Sequence, residues 1–302
     1  MRGHGNVMSH QSPKARVLWP FDLLRADGVG QHMIQIPLRL NRPSGMTRRT
    51  PRPAFFCVLT LVFGLVNLTY SNAVIAASPD HLIVGNFSMA TPGEPFSQGW
   101  KPLTFDNIPE QTRYDLVKDE QQVVVKAISR QSSSGLTREI SIDPKEYPVI
   151  SWRWKVENIL QKGDVTQKSG DDYPARLYIT FQYDSSRVGF FEKAKFETIK
   201  LLYGQYPPIG AVNYIWESKS PIGTMVPNPY TDRVYMFVTE SGSAKLNQWV
   251  SEERNIYEDY KKAFGEDPPT ISGVAIMTDT DNTKESAIAY YGDIVFKKTA
   301  KE

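Results

Sequence analysis

The sequence predicts a mainly β protein, an antiparallel β-sandwich or jelly roll with two inserted α-helices. Residues 150–157 read Ile-Ser-Trp-Arg-Trp-Lys-Val-Glu, and residues 175–184 read Ala-Arg-Leu-Tyr-Ile-Thr-Phe-Gln-Tyr-Asp. Apolar and polar side chains alternate along both segments, a period of two that is typical of strands with one buried face. Many further short segments follow, separated by Pro, Gly, Asn and Asp, as in sandwiches.

The remaining elements are predicted from the same two periodicities. Strands are expected at residues 82–87, 100–105, 112–117, 122–128, 135–142, 212–217, 233–239, 271–278 and 287–297. Apolar residues recur at three- and four-residue steps over residues 189–203 and 246–264, which predicts two helices. Gly265 and the prolines that follow it end the second helix. We expect its aromatic stripe, which includes Trp249, to pack in the core.

The first 77 residues differ from the rest. Residues 1–45 have no sustained periodicity and are interpreted as a disordered extension or as sequence upstream of the true start. Residues 46–77 combine three arginines, an apolar run at 54–66 and small residues at Ala76 and Ala77. This order is typical of a secretory signal peptide, and the alternative is an uncleaved anchor. We expect residues 78–302 to form a single β-sandwich domain, periplasmic or secreted, with no stable membrane span after cleavage near Ala76 or Ala77.

Composition excludes several functions. Cys57 is the only cysteine and lies in the apolar run, and the only histidine after residue 77 is His81. The usual structural zinc sites are therefore excluded for residues 78–302, and a Ser-His or Cys-His catalytic pair could use only His81, which no nucleophile motif accompanies. These residues carry 26 basic and 31 acidic side chains, a net charge of −5, which argues against nucleic-acid binding. Acid–base chemistry would use carboxylates, Lys or Tyr, and no catalytic residue is assigned.

The two most regular strands suggest a candidate site. If they pair as a hairpin, one face is apolar and forms core, with Trp152, Trp154, Leu177, Ile179 and Phe181. The opposite face is polar, with Arg153, Lys155, Arg176, Tyr178 and Gln182. Clustered arginines suit a carboxylate or phosphate because a guanidinium bonds two oxygens at once.

Three aspartates complete this hypothesis. Asp172 lies at the entrance of the second strand, and Asp279 and Asp281 follow the strand at 271–278. We expect Arg153, Arg176 and Tyr178, with these aspartates at the rim, to bind a polar and anionic ligand. The alternative is a solvated sheet face with cross-strand ion pairs. For the Asp279–Thr283 loop, calcium binding and a plain polar turn both remain open.

From about Val84 to Phe296 the chain resembles a family of exported bacterial proteins whose function is unknown. The resemblance rests on residues 152–156, 171–178, 249–265 and 273–283, which include Trp152-Arg153-Trp154 and Asp279-Thr280-Asp281. It implies a location in the cell envelope and no particular activity.

More loosely, the chain resembles carbohydrate-binding modules with a galactose-binding-like jelly roll. Gly85-Asn86-Phe87 near the first strand and residues 291–296 in the last carry this resemblance. It implies a structural calcium between the first and last strands, with Asn86 and Asp293 as the residues concerned.

Three functions remain open from the sequence. The first is a non-catalytic module that binds a glycan or another polar, anionic ligand. The second is a carboxylate-dependent enzyme acting on polysaccharide, and the third is a structural or assembly protein of the envelope with a protein partner. Two close buried carboxylates in a cleft would favour the enzyme. An open polar surface would favour the binding module, and a flat apolar patch would favour a protein with a protein partner.

Overall fold

The structure, a computed structural model, describes residues 78–106, 108–203 and 206–299. The predicted extension and signal peptide lie outside the described residues. Neither α-helix in the described part of the chain combines the length and the apolar composition that crossing a membrane requires.

The described residues form thirteen strands. They are β1 (His81–Gly85), β2 (Trp100–Leu103), β3 (Arg113–Asp119), β4 (Gln122–Arg130), β5 (Ser133–Ile142), β6 (Val149–Val156), β7 (Ala175–Phe181), β8 (Gly210–Glu217), β9 (Met225–Asn228), β10 (Thr231–Ser241), β11 (Val250–Asn255), β12 (Ile271–Asp279) and β13 (Ser286–Lys297). Two α-helices, α1 (Phe190–Tyr203) and α2 (Ile256–Phe264), interrupt them.

The strands form two sheets that pack as a sandwich. The six-stranded sheet has the order β11-β6-β13-β4-β3, with β1 also paired to β13, and the seven-stranded sheet has the order β2-β5-β12-β7-β8-β10-β9. Strand pairs are antiparallel except for β8 and β10, which run parallel. The predicted mainly β sandwich with two helices is confirmed.

The predicted hairpin of the two most regular strands is wrong. β6 lies between β11 and β13 in the six-stranded sheet, and β7 lies between β12 and β8 in the seven-stranded sheet. Their apolar faces nevertheless belong to one core, because each points inward from its own sheet. Trp152 stacks on Tyr214 of β8 with ring centres 5.0 Å apart, and Trp154 lies 6.1 Å from Trp216. Alternation therefore identified the buried face of each strand but not its neighbours.

The outer face of β7 is also buried, which contradicts the expected solvated polar face. Arg176, Tyr178 and Thr180 are each at most 2 % exposed. Connecting segments cover them, and one of these is residues 157–174, which run from one sheet to the other. The apolar side chains that connecting segments contribute to this outer layer are Phe105, Ile108, Val165 and Tyr173.

The first predicted helix is confirmed as α1, but the second begins ten residues later than predicted. Residues 250–255 form β11, which pairs along β6 from Val250 opposite Trp154 to Asn255 opposite Val149. Without β11, the edge of β6 would expose unpaired main-chain groups, and this pairing outweighs local helix propensity. Asn255 then caps α2, since its side chain accepts a hydrogen bond from the Glu258 N–H at 3.1 Å.

Candidate functional site

A group of acidic side chains surrounds Arg176 at one end of the seven-stranded sheet. Arg176 is the second residue of β7, and Asp279 is the last residue of its neighbour β12. These strands are antiparallel, so the start of one meets the end of the other. Asp171 and Asp172 precede β7, and Asp281 follows β12. We call Arg176 and these four aspartates the buried acidic cluster.

Protein groups occupy every donor of the Arg176 guanidinium. Nε donates to Asp279 Oδ1 at 2.8 Å, and Nη2 donates to Asp279 Oδ2 and to the Asp171 carbonyl. Nη1 donates to Tyr178 Oη at 2.8 Å and lies 3.5 Å from Asp171 Oδ1. The guanidinium also lies over the Tyr173 ring, 4.3 Å from its centre. The five N–H groups of an arginine are thus all used, so Arg176 and Tyr178 do not present a free fork to a ligand.

Asp172 is a buried member of the cluster with one unsatisfied oxygen. It is 1 % exposed, and burial raises the pKa of its carboxyl group. Its Oδ2 accepts a hydrogen bond from the Thr283 N–H at 2.6 Å, but its Oδ1 has no hydrogen-bond partner among the described residues, and neither has Thr283 Oγ1. One carboxylate oxygen each from Asp172, Asp279 and Asp281 lies within 4.8 Å of the other two. Oxygen atoms in this arrangement are suited to a cation.

The structure separates Arg153 from the other predicted site residues. Arg153 lies on the outer face of the six-stranded sheet, whereas Arg176, Tyr178, Asp172, Asp279 and Asp281 lie together on the seven-stranded sheet or at its end. The two arginines therefore belong to different surfaces of the sandwich and do not form one site.

Arg153 instead lies among aromatic and charged side chains. Its guanidinium carbon is 4.3 Å from the centre of the Trp249 ring. Lys155 Nζ lies 4.5 Å from the centre of the Tyr290 ring and 2.6 Å from Asp119 Oδ2. We call these five residues the aromatic–cationic face. Strands β3, β6 and β13 and the segment leading into β11 place them side by side on an outward sheet surface.

Hydrogen bonds to Asp119 hold Lys155 and Trp249 of this face in place. Asp119 Oδ2 accepts from Lys155 Nζ and, at 2.8 Å, from Trp249 Nε1. Partial burial by itself would raise the pKa of Asp119, but these two hydrogen bonds and the neighbouring positive charges hold it below its usual value. Arg153 Nη2 donates to Gln122. No carboxylate of the described residues forms a direct ion pair with Arg153, and its nearest acidic interaction is the longer-range attraction to Asp119.

Gly292 makes room for the Arg153 side chain. A Cβ atom at position 292 would lie 2.5 Å from Arg153 Cγ and 2.6 Å from Arg153 Nε. The side chain therefore crosses β13 directly over this glycine before it reaches Trp249. A larger residue would force the arginine to move.

A second candidate surface is a polar cavity of about 810 Å³ beside α1. Its lining includes Tyr183, Tyr206 and Arg187. The faces of the Tyr183 ring are occupied by Phe196 and Tyr206, with ring centres 4.3 and 4.5 Å away. Arg187 pairs with Asp184 at 3.1 Å. The aromatic faces and charges of this cavity are thus largely used within the protein.

One carboxyl group outside these sites has a raised pKa. Burial and the nearby charge of Glu240 raise the pKa of Glu252 to about 7, while Lys245 and the Trp154 indole oppose the rise. Glu240 is 3 % exposed, and it accepts a hydrogen bond from Lys245 Nζ at 2.5 Å. The second carboxylate is therefore already paired, and neither group lines the polar cavity. This geometry does not supply the cleft that the predicted carboxylate enzyme requires.

The residues expected to hold calcium near the first and last strands use their oxygens within the protein. Asp293 Oδ1 accepts from the Ser88 N–H at 2.8 Å, and Asp293 Oδ2 accepts from Ser88 Oγ at 2.5 Å. Asn86 precedes the short 3-10 turn Phe87–Met89, and its side chain makes no capping hydrogen bond there. Calcium binding at this place stays a prediction.

Exposed apolar side chains lie along α1. Phe190, Phe191 and Leu201 are 82 %, 88 % and 85 % exposed. Within the described residues, these side chains most resemble the apolar patch that was expected at a docking site for a protein partner.

The sequence-based prediction missed two residues that belong to these sites, Trp249 and Asp171. Trp249 was assigned to a buried helical stripe, but it precedes β11 and lies half-buried on the outer sheet face. Residues 251–255 read Ser-Glu-Glu-Arg-Asn and are all polar, so no apolar alternation signalled a strand there. Asp171 was not included with Asp172, although it lies beside Arg176; its distance of five residues from that arginine gives no periodic signal.

Solved structures with similar folds include carbohydrate-binding modules. The family 11 module of a cellulosomal cellulase from Clostridium thermocellum is 9 % identical, with a TM-score of 0.36, and the match covers 75 % of this chain and 99 % of that one. The CBM22-1 xylan-binding domain of Xyn10C from Paenibacillus barcinonensis is 11 % identical, with a TM-score of 0.32, and the match covers 74 % and 100 % of the two chains.

A comparison with curated proteins found no match. The sequence profile of one family matches residues 98–295, which is most of the described part of the chain. The chain therefore belongs to the DUF3047 family, whose description is "Protein of unknown function".

Proposed function

We propose that residues 78–302 are an exported, non-catalytic module that binds an acidic polysaccharide on the aromatic–cationic face. One observation carries this proposal. The Arg153 guanidinium lies 4.3 Å from the centre of the half-buried Trp249 ring and has no ion-pair partner among the described residues. Stacking fixes the orientation of the guanidinium plane without consuming its N–H donors.

The chemistry of this face matches a sugar that carries a carboxylate. A guanidinium fork forms two parallel hydrogen bonds with a carboxylate, and the part of Trp249 that remains at the surface offers apolar area to a pyranose ring. Lys126 adds positive charge, since its Nζ lies 5.2 Å from the centre of the Tyr290 ring, whereas the charge of Lys155 is paired with Asp119. An open sheet face of this kind suits a long chain better than a small molecule, which usually binds in a concave pocket.

The polar cavity is a weaker candidate for the same ligand. Its tyrosine rings are stacked within the protein, and Arg187 is paired with acids. Binding there would first have to break several internal contacts, whereas the Arg153 guanidinium makes one side-chain hydrogen bond, to Gln122, among the described residues.

The test is a binding screen with purified residues 78–302 against acidic and neutral polysaccharides, such as polygalacturonate and alginate against xylan and β-glucan. We expect retention on an acidic polymer that weakens as salt rises, because the contact is charge-assisted. Arg153→Ala should then weaken binding about ten- to hundredfold, as the loss of a charged hydrogen bond of about 1.5–3 kcal/mol requires.

Matched variants separate this site from general surface charge. Arg130→Ala removes an exposed arginine on the outward side of β4, at the opposite strand end from Gln122, and should leave binding unchanged. Arg153→Lys keeps the charge but loses the fork, so its affinity should fall between wild type and Arg153→Ala. If Arg130→Ala weakens binding as much as Arg153→Ala, or if Arg153→Ala binds normally, the proposed site is wrong.

Export is tested separately from binding. The pattern of arginines, apolar run and small residues in residues 46–77 supports cleavage near Ala76 or Ala77. Sequencing the N-terminus of protein from the extracytoplasmic fraction should give a start at residue 77 or 78. Mature protein that begins before residue 70 would contradict cleavage there.

A further inference from the structure

We propose that the buried acidic cluster binds a divalent cation of the calcium class through Asp172, Asp279 and Asp281. This site is separate from the aromatic–cationic face, and it does not depend on whether that face binds a polysaccharide.

Unsatisfied buried oxygens point to a ligand inside the cluster. Asp172 is 1 % exposed and Thr283 is 3 % exposed, yet Asp172 Oδ1 and Thr283 Oγ1 have no hydrogen-bond partner among the described residues. Buried polar atoms are nearly always satisfied, and an unsatisfied carboxylate oxygen is among the costliest exceptions. A cation in contact with Asp172 Oδ1 would remove this cost.

The charge balance supports the same conclusion. The cluster contains four carboxylates and one guanidinium, and the guanidinium donates to Asp279 and contacts Asp171. Asp172 has no basic side chain within ion-pair distance among the described residues. A cation would offset the negative charge that the guanidinium leaves unpaired at Asp172.

The ligand set favours calcium over magnesium. One oxygen each from Asp172, Asp279 and Asp281 lies within 4.8 Å of the others. Calcium accepts several carboxylate ligands in flexible geometry, whereas magnesium keeps several of its waters and usually binds only one or two carboxylates. Asp279 can contact both Arg176 and the cation. Each carboxylate oxygen accepts two contacts, and Asp279 Oδ2 accepts a hydrogen bond only from Arg176.

The geometry also provides access for the ion. Asp281 is half-buried and lies in the turn after β12, at the rim of the cluster. Water molecules that complete the coordination can enter from this side. Asp172 and Asp279 are fixed deeper, by Thr283 and by Arg176 respectively. The inner ligands are therefore preorganised, and the outer one lies nearer the surface.

The test is the thermal stability of chelator-treated residues 78–302 with added CaCl₂ or MgCl₂ at constant ionic strength, together with calorimetric titration of Ca²⁺. At a hundredfold excess of Ca²⁺ over its Kd we expect the melting temperature to rise by about 5–10 °C. The response to Mg²⁺ should be smaller. No response to millimolar Ca²⁺, and no binding heat, would overturn the proposal.

Two variants locate the site. Asp172→Asn keeps the side-chain size and should abolish the response to Ca²⁺, and Asp281→Asn, at the more exposed position, should weaken it at least tenfold in calcium affinity. Asp281→Asn also serves if Asp172→Asn does not fold.

Asp293→Asn is the matched control, because it removes a carboxylate from the other place where calcium was predicted. It should keep the full response. If Asp293→Asn loses the response while Asp172→Asn and Asp281→Asn retain it, calcium binds near the first and last strands and the proposal for the cluster is wrong.

Discussion

Replacing Arg176 with methionine should destabilise the domain strongly. The substitution keeps most of the side-chain length but removes the positive charge that faces Asp279 and Asp171. These carboxylates are 2 % and 5 % exposed, so water cannot replace the lost hydrogen bonds. Breaking a buried ion pair from one side typically costs about 3–5 kcal/mol of the free energy of unfolding. For a domain of this size, that corresponds to a fall of about 6–20 °C in melting temperature.

The measurement is urea-induced unfolding at pH 7 in the presence of a chelator, with wild type, Arg176→Met, Asp279→Asn and the double variant. The double variant should lose about 1–3 kcal/mol less than the sum of the single losses, because the second change removes the charge that the first left unpaired. Arg153→Met is the control, since it removes a guanidinium that lacks an acidic partner, and it should change stability by about 1 kcal/mol or less.

The reasoning has a clear point of failure. If Arg176→Met lowers stability by less than about 1 kcal/mol with an unchanged denaturant slope, Asp279 and Asp171 are not charged in the folded protein. Strictly additive losses would likewise show that Arg176 and Asp279 do not interact.

Two further variants test other parts of the structure. The pKa of Glu252 is raised to about 7, so its neutral form is favoured by folding; this contribution is full below about pH 4.5 and is lost as the pH rises through 7. After discounting for partial exposure, the contribution of Glu252 to the free energy of unfolding is about 1–2 kcal/mol. Glu252→Gln should therefore be more stable than wild type by that amount at pH 8 and as stable as wild type at pH 4.5. Urea unfolding at the two pH values measures this difference. An equal difference at both pH values would contradict this assignment. Gly292→Ala places a Cβ 2.5 Å from Arg153 Cγ, so it should displace Arg153, weaken polysaccharide binding and cost about 1–3 kcal/mol of the free energy of unfolding. Unchanged binding by Gly292→Ala would show that the position of Arg153 over Trp249 does not matter.

Predictions from local sequence patterns succeeded for properties that depend on a single strand or helix, such as which side chains are buried and where a helix ends. Trp152, Trp154, Leu177 and Phe181 were assigned to the core from alternation alone, and all four are buried. Gly265 was correctly expected to end a helix, since it adopts the left-handed conformation with φ 76°. The same reasoning failed at Trp249, because residues 250–255 extend a sheet edge that the sequence does not reveal.

The candidate site shows the same division. The residue types of the cluster were recognised, and Asp172, Arg176, Tyr178, Asp279 and Asp281 do lie together. Their burial was not foreseen, because it depends on the segments that cover the outer face of β7. The arginine that remains on an open surface, Arg153, owes its position to aromatic neighbours from other strands.

The sequence by itself determined that the chain folds as strands with one apolar face each, and which residues make that face. It determined the near absence of histidine and thiol chemistry after residue 77. The tertiary structure decided that β6 and β7 lie in opposite sheets, and therefore that Arg153 and Arg176 serve different surfaces. The physical reason is that side-chain alternation is a property of a few consecutive residues. The choice of a strand's neighbours depends on main-chain hydrogen bonds and packing between segments far apart in the chain.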